Sequence, residues 1–344
     1  MGPFGSVAGA NCGFFGEIDG GRGANSFLGL VSGAGFWGSR LECGRPRTPE
    51  TSPRNQKLRI AMVTLDQAGL ARGWTRIVSP AASLEPFVEL FWTQMASPAS
   101  AGGQAGWRIV PDAAPHLIVT RLRTLAGETS PSGTRTSLVG ARSRYVDGSI
   151  TRRAWTVGVR FRPGVLPLLT GLPAPDFADR SVAVADALGG TGTRLSDEVG
   201  AAATADQALD LILAFLLGIL RGVRSPDRRV AALERMVRER DRRGPESSPG
   251  VRSLADRIGV AERTLRKRCV DDIGLSPVLV MRVARVHRAL GLALAGGALA
   301  GDPHAGWARI AARSGYYDQS HLIRDFGRLL GETPATFIVR GRID

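Results

Sequence analysis

Two short segments near the C-terminus carry basic and polar side chains at helical spacing. On a helix built from either segment, the apolar residues fall on one side and the cationic, amide and hydroxyl groups fall on the other. Arg and Lys can hold phosphates or guanine, Gln can pair with adenine, and an exposed apolar side chain can contact the thymine methyl group. The outward-facing residues are Arg263, Arg266 and Lys267 in the first segment and Gln319, Ser320, Ile323 and Arg324 in the second.

The two segments are copies of one pattern. The run ERTLRKRCVDDIGLSP, residues 262–277, aligns without a gap with QSHLIRDFGRLLGETP, residues 319–334. Upstream of these runs, LADRIGV matches IAARSGYY with one residue added in the turn. The chain therefore carries one supersecondary unit twice.

Residues at the ends of the second segment predict where its helix starts and stops. Asp318 can cap the helix by accepting a free backbone N–H group, and Gly331 suits the left-handed residue that ends it. Thr333 followed by Pro334 then opens another element. Together with the apolar helix upstream, this spacing predicts a helix-turn-helix in each copy.

A further helix is predicted between the copies, from Pro277 to about Leu294. Apolar residues and one histidine recur along it at helical spacing, at Val280, Val283, Ala284, His287 and Leu290. Such a helix would hold the two units at a fixed separation. Successive major-groove windows lie roughly 34 Å apart, so two helices fixed in this way can read one face of the duplex.

The competing interpretation is that each basic helix face is only solvated, which is the commoner case for one isolated helix. Two matching copies favour a shared function. Ile323 supports that function, because an exposed Ile gains nothing from water but can contact a thymine methyl group. His321 lies within the same helix, and for this residue a DNA contact and a packing role are both open.

The run GYYDQSHLIRDFGRLLGETPATF, with the upstream copy ending in IGLSP, resembles the C-terminal domain of AraC-type transcriptional regulators. The resemblance covers about residues 227–337. It implies two helix-turn-helix units joined by a long helix, and base or phosphate contacts from the outward-facing residues. Two residues depart from the family pattern: Ala261 stands where a capping Ser or Thr is usual, and Cys269 where a Phe commonly packs. Because a missing cap costs about 1 kcal/mol, the first unit is expected to be the looser one.

The preceding half of the chain has a mixed pattern. Short β-branched runs bounded by Gly or Pro, such as HLIVTR and WTVGVRF, predict strands, and Thr204 with Gln207 predicts a capping box at the start of a later helix. Parts of this half, including RIVPDAAPHLIV and LVGARSRY, are similar to an uncharacterised sensor-like domain often found before AraC-type domains. That resemblance implies a β-rich fold for ligand sensing or dimer contact.

The predicted fold class is an α+β N-terminal domain, β-rich with C-terminal helices, followed by an all-α domain with two helix-turn-helix units joined by a long helix. Residues 1–61 are rich in Gly and Pro and are predicted to be disordered; initiation at Met62 would also account for them. Residues 74–220 are assigned to the sensor-like or dimerisation domain, 221–226 to a linker and 227–340 to the DNA-binding domain.

The charge of the chain favours an acidic partner. The formal net charge is +14, and residues 221–344 hold 24 Arg and Lys against 14 Asp and Glu, which suits nucleic acid or an anionic surface. The apolar run at 211–220 is half of the ~20 residues that a membrane span needs, so no membrane partner is expected. Three cysteines without C-x-x-C spacing indicate neither zinc nor a disulfide framework. A cytoplasmic protein without a secretory signal is predicted.

The sequence offers no catalytic or metal-binding constellation. His116 lacks a second His or a paired carboxylate at ligand spacing, so a hydrogen-bonded structural role is expected, and Asp112 is expected to cap a turn. An enzyme remains the alternative class, since some DNA alkyl-damage repair proteins combine an AraC-type domain with a methyl-accepting Cys. That chemistry needs an activated thiolate, but no Cys lies between residues 44 and 268.

These observations predict a sequence-specific DNA-binding transcription regulator that is not an enzyme and holds no cofactor or metal. Double-stranded DNA is the expected partner, and RNA polymerase, a small-molecule effector and a second copy of the chain are further candidates. The third class is a basic protein that binds nucleic acid without sequence preference. Its binding would depend on salt but would lack a large specificity ratio.

Overall fold

The structure is a computed structural model that describes residues 64–66, 74–96, 105–123, 129–150, 154–227, 229–232, 250–294 and 303–340. The strands precede residue 184, and the long helices follow it. This order confirms the predicted fold class. The extension predicted to be disordered, residues 1–61, lies outside the described residues.

The strands form two antiparallel sheets. One sheet has the order β1-β4-β7 and the other has the order β2-β3-β8-β5-β6-β9. The strands are β1 Thr64–Asp66, β2 Trp74–Val78, β3 Val88–Ala96, β4 Ala105–Ile109, β5 His116–Arg123, β6 Thr129–Val139, β7 Val146–Ile150, β8 Ala154–Phe161 and β9 Ser181–Ala183.

The helices begin within the front domain, the name used here for the described residues up to 220, and continue through the C-terminal half. They are α1 Leu166–Thr170, α2 Val184–Ala201, α3 Ala205–Ile219, α4 Val251–Ile258, α5 Glu262–Ile273, α6 Pro277–Leu294, α7 Pro303–Arg313, α8 Gln319–Leu330 and α9 Pro334–Arg340, with a 3-10 turn at Ala174–Phe177. Among the helices that the structure describes, none is long and apolar enough to cross a lipid bilayer.

The core of the front domain lies between the six-stranded sheet and helices α2 and α3. In the two central strands, Leu117 pairs with Val159 and Val119 pairs with Val157. Alternate residues of a strand point to the same face, so these four side chains share one face, where they are buried together with residues of both helices. The strands predicted from HLIVTR and WTVGVRF therefore form the centre of the sheet.

Helix α3 starts at the predicted capping box. The side-chain oxygen of Thr204 accepts the backbone N–H of Gln207 at 3.2 Å. The Gln207 side chain reaches back to the N–H of Ala203 at 2.8 Å. Two backbone donors that the helix cannot satisfy internally thus find partners, and this places the first turn of the helix that covers the sheet.

A buried polar cluster lies where β3, β5 and β8 meet, and it is built from Glu89, Asp112, His116 and Arg160. The Arg160 guanidinium holds both oxygens of Asp112, with Nε 2.9 Å from Oδ2 and Nη2 2.6 Å from Oδ1, and its Nη1 donates to Glu89. His116 Nε2 donates to Asp112 Oδ2 at 3.1 Å, and Asp112 also accepts the N–H of Ala114 at 3.0 Å. The turn-capping role of Asp112 and the structural role of His116 are both confirmed.

The charge on Asp112 is stabilised by its partners. Burial alone would raise the pKa of this carboxyl group, but the Arg160 guanidinium and the His116 ring outweigh burial and hold the pKa well below its usual value. Bidentate Arg–carboxylate pairs have fixed geometry as well as favourable energy. The cluster therefore fixes the loop that carries Asp112.

Helix α6 docks on the same loop through a buried histidine. His287 Nε2 donates to the carbonyl oxygen of Pro111; because a carbonyl oxygen can only accept, this nitrogen carries a proton. Burial lowers the pKa of His287, and Arg160 adds to the effect, against the opposing influence of Asp112 and the Pro111 carbonyl. The buried ring is therefore neutral at neutral pH.

We expect acid to weaken this docking. Since folding lowers the pKa of His287 below its unfolded value of about 6.5, its contribution to stability is present above that pH and is lost as the pH falls toward the folded pKa. His287→Gln keeps a donor for Pro111 but does not titrate. Denaturant midpoints at about pH 7.5 and pH 5.5 should therefore differ more for the wild type than for His287→Gln, and an equal difference would contradict this assignment.

Candidate nucleic-acid interface

The second unit, made of α7 and α8, has the ends that the sequence predicts for α8. Asp318 Oδ1 accepts the backbone N–H of His321 at 2.7 Å and so caps the helix start. Gly331, with φ of 74°, ends the helix in the left-handed conformation. Thr333 Oγ1 then accepts the N–H of Thr336 at 3.2 Å and opens α9. Local side chains therefore determine the length of α8.

The inner face of α8 is held by packing. Phe326 lies edge-on to Trp307 of α7 and to Phe337 of α9, each at 6.3 Å between ring centroids. Leu322 and Leu330 are fully buried in the same core. Since burial of one such side chain stabilises a fold by roughly 1.5–3 kcal/mol, this face fixes the orientation of the helix.

The outer face of α8 carries the predicted contact residues. Ser320, Ile323 and Arg324 are exposed, and Gln319 is half-buried. Ile323 leaves 39% of its surface accessible, which is consistent with the exposed apolar group expected from the sequence. The structure thus brings these four residues together on one side of one rigid helix.

His321 lies partly inside the unit. Its ring is edge-on to Tyr316, with 5.2 Å between centroids, and its Nε2 atom is 3.9 Å from Asp325 Oδ2. The side chain is still about one-third exposed, at 34%. The geometry therefore gives His321 a packing role without removing it from the surface.

Asp325, a buried carboxylate on the inner face of α8, was not singled out from the sequence. Asp325 Oδ2 lies 3.5 Å from Nη2 of Arg285, and its Oδ1 lies 3.9 Å from Nε of Arg282; both cations are on α6. The Arg285 guanidinium also lies over the Tyr316 ring, at 5.1 Å from the centroid. Burial and the Asp325 carboxylate raise the pKa of Tyr316, so its phenol stays protonated. These contacts connect α8 to α6. The sequence did contain a signal for this ion pair, because Asp325 is an acidic residue at a position where the helical repeat predicts an inward-facing side chain.

The first unit, made of α4 and α5, repeats this arrangement, but the N-terminus of α5 lacks a side-chain cap. Ala261 at the N-cap of α5 has no side-chain hydrogen bond to the helix, as the sequence predicts. Leu265, Cys269 and Ile273 face inward and are buried in the core of this unit. Gly274 ends the helix at φ of 88°.

The outer face of α5 carries the three predicted cations, all of them exposed. Arg266 Nη2 lies 2.6 Å from Glu262 Oε1, and Lys267 Nζ lies 2.6 Å from Asp271 Oδ2. Exposed pairs at this spacing contribute only about 0.3–0.5 kcal/mol. A phosphate can therefore replace either carboxylate at small cost, and Arg263 completes the basic face.

A cap introduced at residue 261 should stabilise the first unit. We expect Ala261→Ser to raise the free energy of unfolding by about 1 kcal/mol, because the Ser hydroxyl can accept a backbone N–H that has no acceptor within the helix. Denaturant unfolding of wild type and variant measures this difference. The neighbouring exposed substitution Thr264→Ser serves as control, and equal stability of Ala261→Ser and wild type would contradict the expectation.

Cys269 has the properties of a packing residue. The thiol is buried in the first unit, and burial, with a contribution from Asp272, raises its pKa to about 12. Thiolate chemistry needs a lowered pKa and access to solvent, so this cysteine lacks the activation that alkyl transfer requires. Within the described part of the chain, moreover, no group of three or more His, Cys, Asp or Glu residues is arranged to hold a metal ion.

The long helix α6 joins the two units because it contributes side chains to both cores. Val280 belongs to the core of the first unit. Val286, Ala289 and Leu290 belong to the core of the second. The helix spans Pro277–Leu294, as predicted, so it is a shared structural element of both units.

Two sequence families match the chain. Residues 254–340 match a family described as a helix-turn-helix domain; the match runs from within α4 to the end of α9. Residues 76–183 match a domain of unknown function, DUF6597. A search of curated protein sequences finds no match. The C-terminal match confirms the DNA-binding domain that the AraC-type resemblance implied.

Solved structures of ToxT from Vibrio cholerae resemble this chain. The structure from strain O395 is 9% identical, with a TM-score of 0.37, and the match covers 79% of this chain and 98% of ToxT. A structure of wild-type ToxT from strain SCE256 with bound unsaturated fatty acid is 11% identical, with a TM-score of 0.36, and the match covers 80% of this chain and 94% of ToxT. The assignment of the C-terminal domain rests on the family match.

Proposed function

We propose, on the premise that residues 254–340 form an AraC-type helix-turn-helix domain, that the protein is a sequence-specific transcription regulator that reads two successive major-groove windows of DNA. The observation that carries the proposal is the duplicated unit. Helices α5 and α8 each bury an apolar face and expose a basic and polar face, and α6 packs into both cores. A helix-turn-helix uses such an exposed face to enter the major groove.

In the second unit, side chains of different chemistry are available for bases and for phosphates. Arg324 and Gln319 are proposed to contact base edges, and Ile323 to contact a thymine methyl group. Ser320 and His321 lie in the first turn of α8, where their side chains and the backbone N–H groups that Asp318 does not occupy can hold a phosphate. They are proposed to position the helix on the backbone.

In the first unit, cations are the main available groups. Arg263, Arg266 and Lys267 are proposed to bind phosphates or guanine. Two of these cations pair with carboxylates that DNA would have to replace, and the helix lacks a side-chain N-terminal cap. This unit is therefore expected to contribute more to affinity than to sequence preference.

Selection of bound sequences from a random DNA pool, with the full chain as bait, tests the proposal. We expect one motif with two parts whose centres lie about one helical turn apart, or roughly 10 base pairs. Equal enrichment of all sequences, together with strongly salt-dependent binding, would instead support a protein that binds nucleic acid without sequence preference.

The sensor-like domain predicted at residues 74–220, which makes up most of the front domain, is proposed to sense a ligand or to pair two copies of the chain. The same selection also tests whether two copies of the chain bind DNA together. If they do, the enriched sequences should contain the two-part motif twice, in a symmetric or repeated arrangement. A small-molecule effector, contact with RNA polymerase, a cytoplasmic location and the absence of enzymatic activity stay predictions from the sequence.

A further inference from the structure

Both recognition helices, α5 and α8, end against the front domain. Their terminal glycines, Gly274 and Gly331, occupy equivalent positions in the two units. A Cβ atom at Gly274 would lie 3.0 Å from the carbonyl oxygen of Ala174, and one at Gly331 would lie 2.4 Å from Cε1 of Tyr145. The front domain therefore touches the same point of each unit, and a Cβ atom at Gly331 would displace the Tyr145 ring.

The front domain also completes the hydrogen bonding of α8. The backbone N–H of Tyr145 donates to the carbonyl oxygen of Leu329 at 3.0 Å. The last four carbonyl groups of a helix have no partner within the helix. A residue of another domain thus supplies a donor at the end of α8, while its ring covers Gly331.

Two loops of the front domain, residues 110–115 and 140–145, contact both units. Val110 of the first loop is fully buried in the core of the second unit. Ala141 of the second loop is buried in the core of the first unit, and Tyr145 of the same loop contacts the second unit. The second loop therefore bridges both units.

Hydrogen bonds fix these loops to each other and to the front domain. The backbones of Asp112 and Arg142 pair through two N–H to carbonyl bonds of 3.2 and 2.7 Å. Asp112 is held further by the buried polar cluster, and the N–H of Ser143 donates to Asp179 Oδ1 at 2.7 Å. The loops are thus ordered parts of the fold that can transmit a fixed geometry.

From this arrangement we infer that the front domain is a brace that sets the separation and rotation of the two recognition helices, with Tyr145 as a positioning residue. The inference rests on the proposed reading of two DNA windows. Two linked binding modules reinforce each other only when their geometry allows both to bind at once. A brace between the units would therefore raise affinity for a correctly spaced site and reject a wrongly spaced one.

Binding of the full chain to three duplexes tests the brace. They are the selected two-window site, the same site with one base pair inserted between the windows, and a site with the second window alone. We expect Tyr145→Ala to weaken binding to the two-window site by about tenfold, because α6 without this contact holds the two units less precisely at the spacing of the site and simultaneous binding becomes less favourable. The penalty for the inserted base pair should shrink, while binding to the single window should stay unchanged.

Two variants separate this effect from a general loss of structure. Tyr145→Phe keeps the ring on Gly331 and should restore wild-type discrimination between the two spacings. Leu122→Ala removes an exposed apolar side chain near the end of β5 away from the loops and should behave like the wild type. Denaturant midpoints of the variants show whether each remains folded.

The outcomes distinguish the brace from the function on which it rests. If the wild type shows no sequence preference, the proposed function and the brace both fail. If the wild type is specific and Tyr145→Ala keeps the same spacing discrimination, the brace alone fails. Equal weakening on the single window also overturns it, since Tyr145 would then only support the fold of the second unit.

Discussion

Arg160→Met is expected to lower the free energy of unfolding by about 3–5 kcal/mol, because it leaves the carboxylates of Asp112 and Glu89 without their shared guanidinium in a buried site. Met fills much of the volume of the Arg stem but offers no donor. The loss should appear as a lower denaturant midpoint of the full chain. This is the largest stability effect that we expect from a single substitution in the front domain.

Matched variants make the result specific to the buried cluster. Arg135→Met, on β6 of the same sheet and exposed, should change stability by no more than about 0.5 kcal/mol. Adding Asp112→Asn to Arg160→Met should cost less than the sum of the two single effects, because each single change leaves an uncompensated charge or donor. A midpoint for Arg160→Met equal to that of Arg135→Met would refute the role assigned to the guanidinium.

Arg324→Ala is expected to weaken binding to the selected DNA site by about 1–3 kcal/mol and to relax preference at one base position. The side chain is exposed on the outer face of α8, whose inner face is fixed by the buried core. Removing it should therefore leave the helix in place. Titration of the wild type and variant against single-base variants of the site gives both quantities at one salt concentration.

Arg194→Ala is the control for loss of charge. Arg194 is an exposed cation on α2 of the front domain, 3.7 Å from Glu198, and its removal lowers the net charge by the same amount. It should change neither affinity nor base preference beyond a small non-specific effect. If Arg324→Ala weakens binding to every sequence equally, the side chain contacts a phosphate and not a base; if it changes nothing, Arg324 is not a contact residue.

The ends and faces of α5 and α8 follow from the sequence. Asp318, Thr204 and Gly331 act within a few residues of the helix ends that they define, so a local pattern is sufficient. The inward period of Leu322 and Phe326 needs only the helical repeat. The absence of a side-chain cap at Ala261 could be predicted in the same way, because capping depends only on the residue at the helix start.

Other features of the fold could not be predicted from the sequence, because they depend on contacts between residues far apart in the chain. β1, Thr64–Asp66, precedes the predicted domain start at residue 74 and pairs with β4; three residues are too few to display a strand period. The arginines that pair with Asp112 and Asp325, Arg160 and Arg285, lie on elements far along the chain. A charged residue in a sequence does not reveal which opposite charge the fold brings to it.

The sequence by itself determined that one helical unit occurs twice, where each unit begins and ends, and which sides of α5 and α8 are polar. Only the tertiary structure decided that loops of the front domain contact both units and that Ala174 and Tyr145 pack against the ends of α5 and α8. Periodicity and capping act over one or two helical turns, so they can be read along the chain. Docking depends on which surfaces are complementary once the strands and helices have formed, and this information is distributed over residues that are close only in space.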